Sequence, residues 1–309
     1  MTTDTPTGTA PLTALDRRLH AFRPDLGDIR LENRVASARF VEGTVMQVRS
    51  PLAPMRKAPD PALGIENEAL LGELVTVFDD AGGWSWGQLK RDGYVGYFPT
   101  AALATEITPP THRIKVPATF VYPAPDIKQP PTAHLSLGAA FAVTATTPDE
   151  RFVELAHGGF VYARHAAPLT FRARDFVEVA EQMIYTPYLW GGRSRLGLDC
   201  SGLVQVALEA AGIPCPRDTD MAAAALGEPV PVLADLDGLE RGDIVYWPGH
   251  CGIMIDGMML LHANGHHMST VIEPLSQATR RIRKAGGGNT ASGPDISTIR
   301  RLPSATAVS

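Results

Sequence analysis

Tyr188-Leu189-Trp190-Gly191-Gly192, followed by Leu198-Asp199-Cys200-Ser201-Gly202, is the stretch on which the reading of this chain turns. After it comes an apolar run with Leu203, Val206, Ala207 and Ala210 on one helical face, stopped by Gly212 with Pro214 beyond. Asp199 is suited to cap that helix, which places Cys200 in its first turn. A thiol there sits in the positive end of the helix dipole, so its pKa falls and thiolate is present at neutral pH. Glycines on both sides let a substrate backbone approach. A free cysteine is more often a small buried hydrophobe, so the chemical reading needs partners elsewhere in the chain.

A cysteine nucleophile needs a base, and the base needs an orienting group. Gly249-His250-Cys251-Gly252-Ile253-Met254-Ile255 offers one histidine and Leu260-Leu261-His262-Ala263 a second. In an extended strand His250, Gly252 and Met254 point one way, and Cys251, Ile253 and Ile255 the other. Cys251 therefore reads as core. For His250 and His262 to lie opposite each other on one face, the intervening loop must hold an odd number of residues. Ile255-Asp256-Gly257 fits as a three-residue loop with Gly257 left-handed. A two-residue Asp-Gly turn would pair His262 with Cys251 instead, and the sequence does not decide between the two turns.

Around this segment, Phe176, Val179, Ala180 and Met183 fall at helical spacing, which predicts a helix over Asp175 to Ile184. Two strands are expected at Ile244 to Ile255 and Met258 to Ala263, and a final edge strand at Ile296 to Leu302. Helices first and strands later make this part α+β. The preceding part reads as short strands: Glu73 to Phe78, a turn at Asp80-Ala81-Gly82-Gly83, a strand carrying Trp84 and Trp86, a turn at Arg91-Asp92-Gly93, then Tyr94 to Phe98. Ala139 to Ala145, Phe152 to Leu155 and Phe160 to Tyr162 repeat the theme. Ala58-Pro59-Asp60 and Ala124-Pro125-Asp126, Gly72 and Gly138, and Gly93-Tyr94 and Gly159-Phe160 share one constant offset, which points to two copies of one small barrel. Residues 1–30 read as an extension, with Leu15 to Phe22 as a short helix. Gly286-Gly287-Gly288 and Gly293-Pro294 read as a mobile loop.

Of the 309 residues, 44% are hydrophobic and 20% charged, which excludes a largely disordered chain. No apolar run approaches the ~18 residues of a membrane-spanning helix. Met1 to Pro11 lacks the basic and apolar regions of a signal peptide. Net charge is −5, so nucleic acid is not the default partner, and Arg280, Arg281, Arg283 and Lys284 read as a solvated run. Cys200, Cys215 and Cys251 have no zinc-type spacing, and with no signal peptide they suit a reducing compartment.

The ordered motifs resemble the NlpC/p60 cysteine peptidases of bacterial cell-wall metabolism. These are Tyr-x-Trp-Gly-Gly, Asp-Cys-Ser-Gly, a Gly-Asp-hydrophobic strand, a His-x-Gly strand and a final His-Ala, here spanning about residues 168–275. The family's hydrophobic residue after the first histidine, often Val, is Cys251 in this chain. The resemblance implies an α+β, papain-like catalytic domain preceded by two small all-β SH3-like barrels. The boundaries expected are 1–30 for the extension, 31–106 and 107–168 for the barrels, and 169–309 for the peptidase domain. It assigns Cys200 as nucleophile, His250 as general base and His262 as the residue that orients it, with no cofactor and no metal.

The SH3-like domains ahead of the peptidase resemble those of intracellular enzymes that cleave γ-D-glutamyl–diaminopimelate bonds in murein peptides beginning with free L-Ala. In such relatives the SH3-like domain walls off the groove, and a carboxylate and tyrosines hold the L-Ala amine. Carried over by position, this implicates Tyr188, Asp199 and Ser201, with Glu68 and Tyr94 from the first barrel. Glu66 and Glu73 are rival carboxylates, and Tyr97 reads as barrel core. Arg193 and Arg195 are candidates to read the carboxylate that distinguishes diaminopimelate from lysine. The expectation is a cytoplasmic murein-peptide endopeptidase of cell-wall recycling, whose partner is L-Ala-γ-D-Glu-diaminopimelate, without nucleic acid or membrane. Three other readings compete. An exported wall hydrolase with polymer-binding SH3-like domains lacks its signal peptide. A non-catalytic binding protein on the same fold is disfavoured by intact Cys200, His250 and His262. A metal site on those three residues would need further ligands.

Overall fold

The computed structural model describes residues 15–285 and 296–303. The glycine-rich stretch 286–288, Gly293-Pro294 and Met1 to Pro11 lie outside the described residues.

The first β unit is a five-stranded sheet ordered Val95–Pro99, Trp84–Leu89, Leu74–Ala81, Thr44–Val48, Leu103–Ala104, with a hairpin of Leu52–Met55 and Asn67–Leu70 folded over it. Alternation drives it: Val75 and Val77 point into a core with Met46, Val48, Ala53, Met55, Leu89 and Phe98. Gly82 and Gly83 both take positive φ, as a two-residue hairpin turn between twisted strands requires. The expected helix at Leu15 to Phe22 is absent. That segment is turn-like and lies along the sheet, where Val95 N–H donates to Arg18 O at 2.8 Å and Gln88 Nε2 to Leu19 O at 2.7 Å. Ala21 and Leu26 pack on Phe78 and Trp86, so these residues belong to the first unit rather than to a separate extension.

The second unit repeats the plan with its own core of Ile114, Val121, Leu135, Phe141, Val153, Leu155 and Val161. Gly72 and Gly138, matched in the repeat, are both left-handed (φ 85 and 90). The third anchor slips by one residue. Val95 lies across from Gln88, and Phe160 across from Glu154, so Phe160 corresponds to Val95 and not to Tyr94. The turn at 158–159 is one residue shorter than its counterpart. The two units join through Ala140 N–H donating to Leu71 O at 2.8 Å, and Leu70 of the first packs into the core of the second.

The last unit is a six-stranded sheet. Its strands are β1 (Glu228–Val230), β2 (Ile244–Trp247), β3 (His250–Met254), β4 (Met259–Asn264), β5 (Ser269–Pro274) and β6 (Thr298–Arg301), in the order β1-β6-β2-β3-β4-β5. The expected edge strand is therefore internal: β6 pairs with β2 on one side and the short β1 on the other. The expected single run from Ile244 to Ile255 is two strands. Pro248 cannot donate to a ladder and Gly249 is left-handed (φ 72), so the chain turns and β3 starts at His250, opposite Trp247. Among the described residues four helices accompany the sheet: α1 (Phe176–Glu181), α2 (Cys200–Ala210), α3 (Thr219–Ala225) and α4 (Leu275–Ala285). Helix α1 is shorter than its periodicity suggests, and α3 and α4 have no counterpart in the sequence reading. One sheet face, through Ile244, Tyr246, Cys251, Ile253, Leu261 and Ala263, packs on α1 and α2. The other, through Val245, Trp247, Met254 and Leu260, packs on Leu275 and Ala278 of α4.

Candidate active site

Asp199 is the N-cap of α2, accepting from Gly202 N at 2.7 Å, and Cys200 is the first helical residue. The Cys200 thiol is almost fully buried. Its pKa is lowered, first by a hydrogen bond with the thiol of Cys251 and then by His250, against the opposing pull of burial. Cys251 moves the other way and holds its proton, because it lies deeper and faces the thiolate. Cys251 is core, as its strand position implies, but core that touches the nucleophile candidate.

The hairpin between β3 and β4 sets the histidines. The ladder pairs Ile253 with Leu261 and Met254 with Leu260, which puts His262 across from Gly252 rather than from His250. Both histidines still share a face, because the loop is odd: Ile255 N–H donates to Met259 O, leaving residues 256–258 as the turn. Gly257 is not left-handed. The Asp256 carboxylate closes the turn instead, accepting from Met258 N and Met259 N at 2.8 Å each. A Cβ on Gly252 would come within 2.9 Å of His262 Cβ and 2.8 Å of Leu260 Cδ1. Only glycine lets His262 lie there and reach His250 on the diagonal, Nε2 to Nδ1 at 2.8 Å.

His262 is completely buried, and burial lowers its pKa to about 4. On its far side Nε2 lies 2.7 Å from Glu273 Oε1. Arg281 of α4 grips both oxygens of Glu273, so it is not part of a solvated run. A cavity of about 230 Å³ lies over this row, lined by His250, His262, Asn264, Gly265, His266 and Arg281. Among the described residues no group of three or more His, Cys, Asp or Glu side chains is arranged to hold a metal ion.

The residues expected to bind substrate fall at the seam between the first β unit and the last. Glu68 is 2% exposed, with Oε2 accepting from Arg193 N at 2.8 Å, and burial raises its pKa. Tyr188 is half-buried beside Cys200 and Asp199, its phenol pushed up by burial. Tyr94 is buried, and its hydroxyl donates to Asp218 at 3.0 Å. Tyr97 is tied to Arg23.

Arg217, unmarked in the sequence reading, sits at the centre of the seam. It is 2% exposed and donates to Asp199 Oδ1 at 3.0 Å, Asp199 Oδ2 at 2.6 Å, Ser201 Oγ at 2.8 Å and, from Nε, Asn67 Oδ1 at 3.1 Å. Gly191 N–H also donates to Asp199 Oδ2 at 2.8 Å. The Asp199 carboxylate is thus filled by protein donors. Arg193 is held by Glu73 and Glu209, and Arg195 by Met183 O, Ile184 O and Thr186, so neither is available to read a substrate carboxylate. Glu73 is spent on Arg91 and Arg193.

A thiol in the first turn of a helix, beside a histidine that is bonded to a second histidine on a sheet hairpin, defines a class, the thiol hydrolases of papain-like build. Comparison with known proteins agrees. Residues 185–284 match the NlpC/P60 family, and residues 55–103 match the bacterial dipeptidyl-peptidase SH3 domain. The chain is 28% identical over 226 residues to a gamma-D-glutamyl-L-lysine dipeptidyl-peptidase of Bacillus subtilis (strain 168), covering 64% of this chain and 72% of that protein. It is 34% identical over 122 residues to dipeptidyl-peptidase 6 of Lysinibacillus sphaericus, covering 36% of this chain but less than half (44%) of that relative. In fold it resembles the crystal structure of an NlpC/P60 family protein from Bacillus cereus ATCC 10987, with a TM-score of 0.65 at 20% identity, covering 84% of this chain and all (100%) of that one. The chain carries an NlpC/P60 domain, of a peptidase family, preceded by a bacterial SH3 domain.

Proposed function

We propose that this chain is a cysteine endopeptidase. It hydrolyses the γ-D-glutamyl bond to diaminopimelate or lysine in murein peptides that begin with free L-Ala. The observation that carries this reading is the Cys200 thiol beside His250, whose ring is bonded to His262, in a domain that meets the SH3 domain where Arg193 N–H donates to buried Glu68. Relatives named gamma-D-glutamyl-L-lysine dipeptidyl-peptidase support the bond and the amino-acid class.

In this reading His250 takes the Cys200 proton, and the thiolate attacks the γ-carbonyl of D-glutamate. Backbone N–H groups at the start of α2, that of Cys200 included, stabilise the oxyanion. His250 then gives its proton to the leaving amine, and water, deprotonated by the same imidazole, releases the acyl group. The cationic amine of L-Ala needs an anionic partner in a half-buried site. With Asp199 filled by Arg217, Gly191 and Gly202, that partner is Glu68, and Asp199 and Ser201 act through Arg217 to hold the floor of the subsite. Tyr188 lines the same end, and Tyr94 supports it through Asp218. We place the work in the cytoplasm, on peptides released by cell-wall turnover. Three free thiols fit a reducing compartment.

The test is mass spectrometry of L-Ala-γ-D-Glu-diaminopimelate incubated with the protein and with Cys200→Ala. Release of L-Ala-D-Glu by the native chain alone is the expected result. No cleavage by the native chain, or equal cleavage by the variant, rejects the assignment.

A further inference from the structure

We infer that Glu273, clamped by Arg281, is a positioning residue that fixes the His262 tautomer and keeps a proton on His250 Nε2, so that His250 Nδ1 is the nitrogen that exchanges a proton with Cys200. The inference rests on the reading of His250 as the base. It concerns two residues that carry no sequence motif, on the strand and helix behind the site.

Glu273, His262 and His250 form one hydrogen-bonded row in which each proton has a single place. Glu273 lies on β5 across from Leu260, which puts it on the diagonal from His262. Helix α4 starts directly after Pro274 and returns Arg281 over the carboxylate, which it holds through both oxygens. A carboxylate held by a guanidinium stays ionised and can only accept. Burial alone would raise its pKa, but Arg281 and His262 hold it well below the usual carboxylate range. His262 Nε2, 2.7 Å away, must therefore carry a proton and donate it. The rival partner at Nε2 is Asn264 Nδ2 at 3.1 Å. Asn264 Oδ1 already accepts from His267 N at 2.9 Å, so its amide nitrogen faces the ring. For that N–H to be accepted, Nε2 would have to be bare, with its lone pair against the Glu273 charge. The shorter, charge-assisted contact wins over the longer neutral one.

The rest follows without further choice. With Nε2 protonated and the ring neutral, His262 Nδ1 is an acceptor. His250 Nε2, 2.8 Å from it, must be the donor. With Nε2 committed to His262, His250 Nδ1 is the ring nitrogen left to exchange a proton with Cys200. When His250 becomes imidazolium, its Nε2–H bond to His262 strengthens, and the fixed Glu273 charge stabilises the added proton. Among the described residues, the groups that act on His262 are His250 on β3, Asn264 on its own strand, Glu273 on β5 and Arg281 on α4. Replacing the carboxylate by an amide removes the charge and allows Nε2 to accept. That inverts both tautomers and leaves an N–H, not a lone pair, toward Cys200.

Two readouts independent of the peptide substrate test this. Long-range ¹H–¹⁵N spectra of ¹⁵N-histidine-labelled native protein should show His262 as the neutral Nε2–H tautomer and His250 with a proton on Nε2, whether or not it has also taken the Cys200 proton. The rate of Cys200 alkylation by iodoacetamide, followed against pH, should fall about tenfold at pH 6 in Glu273→Gln, with partial recovery in Glu273→Asp. With a cleaved peptide, kcat should fall about 10- to 100-fold in Glu273→Gln while KM stays within about twofold, the attenuated form of a lost triad orienter. A proton on His262 Nδ1 in the native protein overturns the inference. So does a folded Glu273→Gln protein whose alkylation profile overlays the native one. The spectrum decides alone if that variant does not fold. Failure to cleave the peptide, with the alkylation result as expected, would instead reject the substrate reading.

Discussion

The environment of Cys200 separates what its helix supplies from what its neighbours supply. A helix start lowers a thiol pKa in any protein. Here Cys251, a residue that would serve its core position as well by being valine, adds a hydrogen bond that lowers it further. Cys251→Val should keep the fold and move the midpoint of Cys200 alkylation to higher pH, with about a tenfold loss of thiolate for each 1.4 kcal/mol removed. An unchanged midpoint would mean that the helix and His250 suffice. Arg217 makes a second case. Arg217→Met leaves the buried Asp199 carboxylate without its cation, at a cost of about 3–5 kcal/mol by urea unfolding. Cys200 was legible as the first residue of an Asp199-capped helix, and His250 and His262 as a pair that one of two possible turns would put on one face; their joint roles came from the family resemblance. Arg217 and Glu273 were not, because their partners come from separate elements and no periodicity links them.

The β3–β4 hairpin takes one of the two turns left open by the sequence, with a register shifted from the one drawn for it. An odd loop places both histidines on one face, which is one of the two outcomes the spacing allows. The Asp256 side chain, rather than a left-handed Gly257, closes the turn, and that moves His262 opposite Gly252. Gly252→Ala should then push His262 off its ring-to-ring contact. The expected cost is about 1–3 kcal/mol in stability, together with loss of most peptide cleavage. Acid stability tests the same element. His262 is held neutral with a pKa of about 4, against 6.5 for a free side chain. Between those values the unfolded chain binds a proton that the folded chain does not. Stability should therefore fall as pH drops from 6.5 to 4, by on the order of 3 kcal/mol from this group. Glu273, depressed in the fold, adds a further loss as pH falls below its unfolded value. Urea midpoints at pH 7 and pH 4.5 check this, and His262→Gln should flatten the difference. Helix α4 was missed because its basic run masks the apolar residues Leu275 and Ala278 that bind it to the sheet.

Across the whole molecule, the first β unit meets the hydrolase domain through charge. Buried Arg193 and Arg217, with half-buried Arg91, pair with Glu73, Asp92, Glu209 and Asp199. Such a network contributes little net stability but penalises every misaligned docking, since each shift would strand a buried charge. The seam is therefore rigid, and Glu68 is carried to it on the Asn67–Leu70 strand rather than on a loop. The offset repeat made two β units legible. It could not tell that one of them completes a site, because that depends on contacts across domains. The most direct test of the account compares kcat/KM for L-Ala-γ-D-Glu-diaminopimelate with that for its N-acetylated copy, in the native chain and in Glu68→Gln. The account predicts a strong preference for the free amine that collapses in the variant through a raised KM. Equal cleavage of both peptides by the native chain would contradict it.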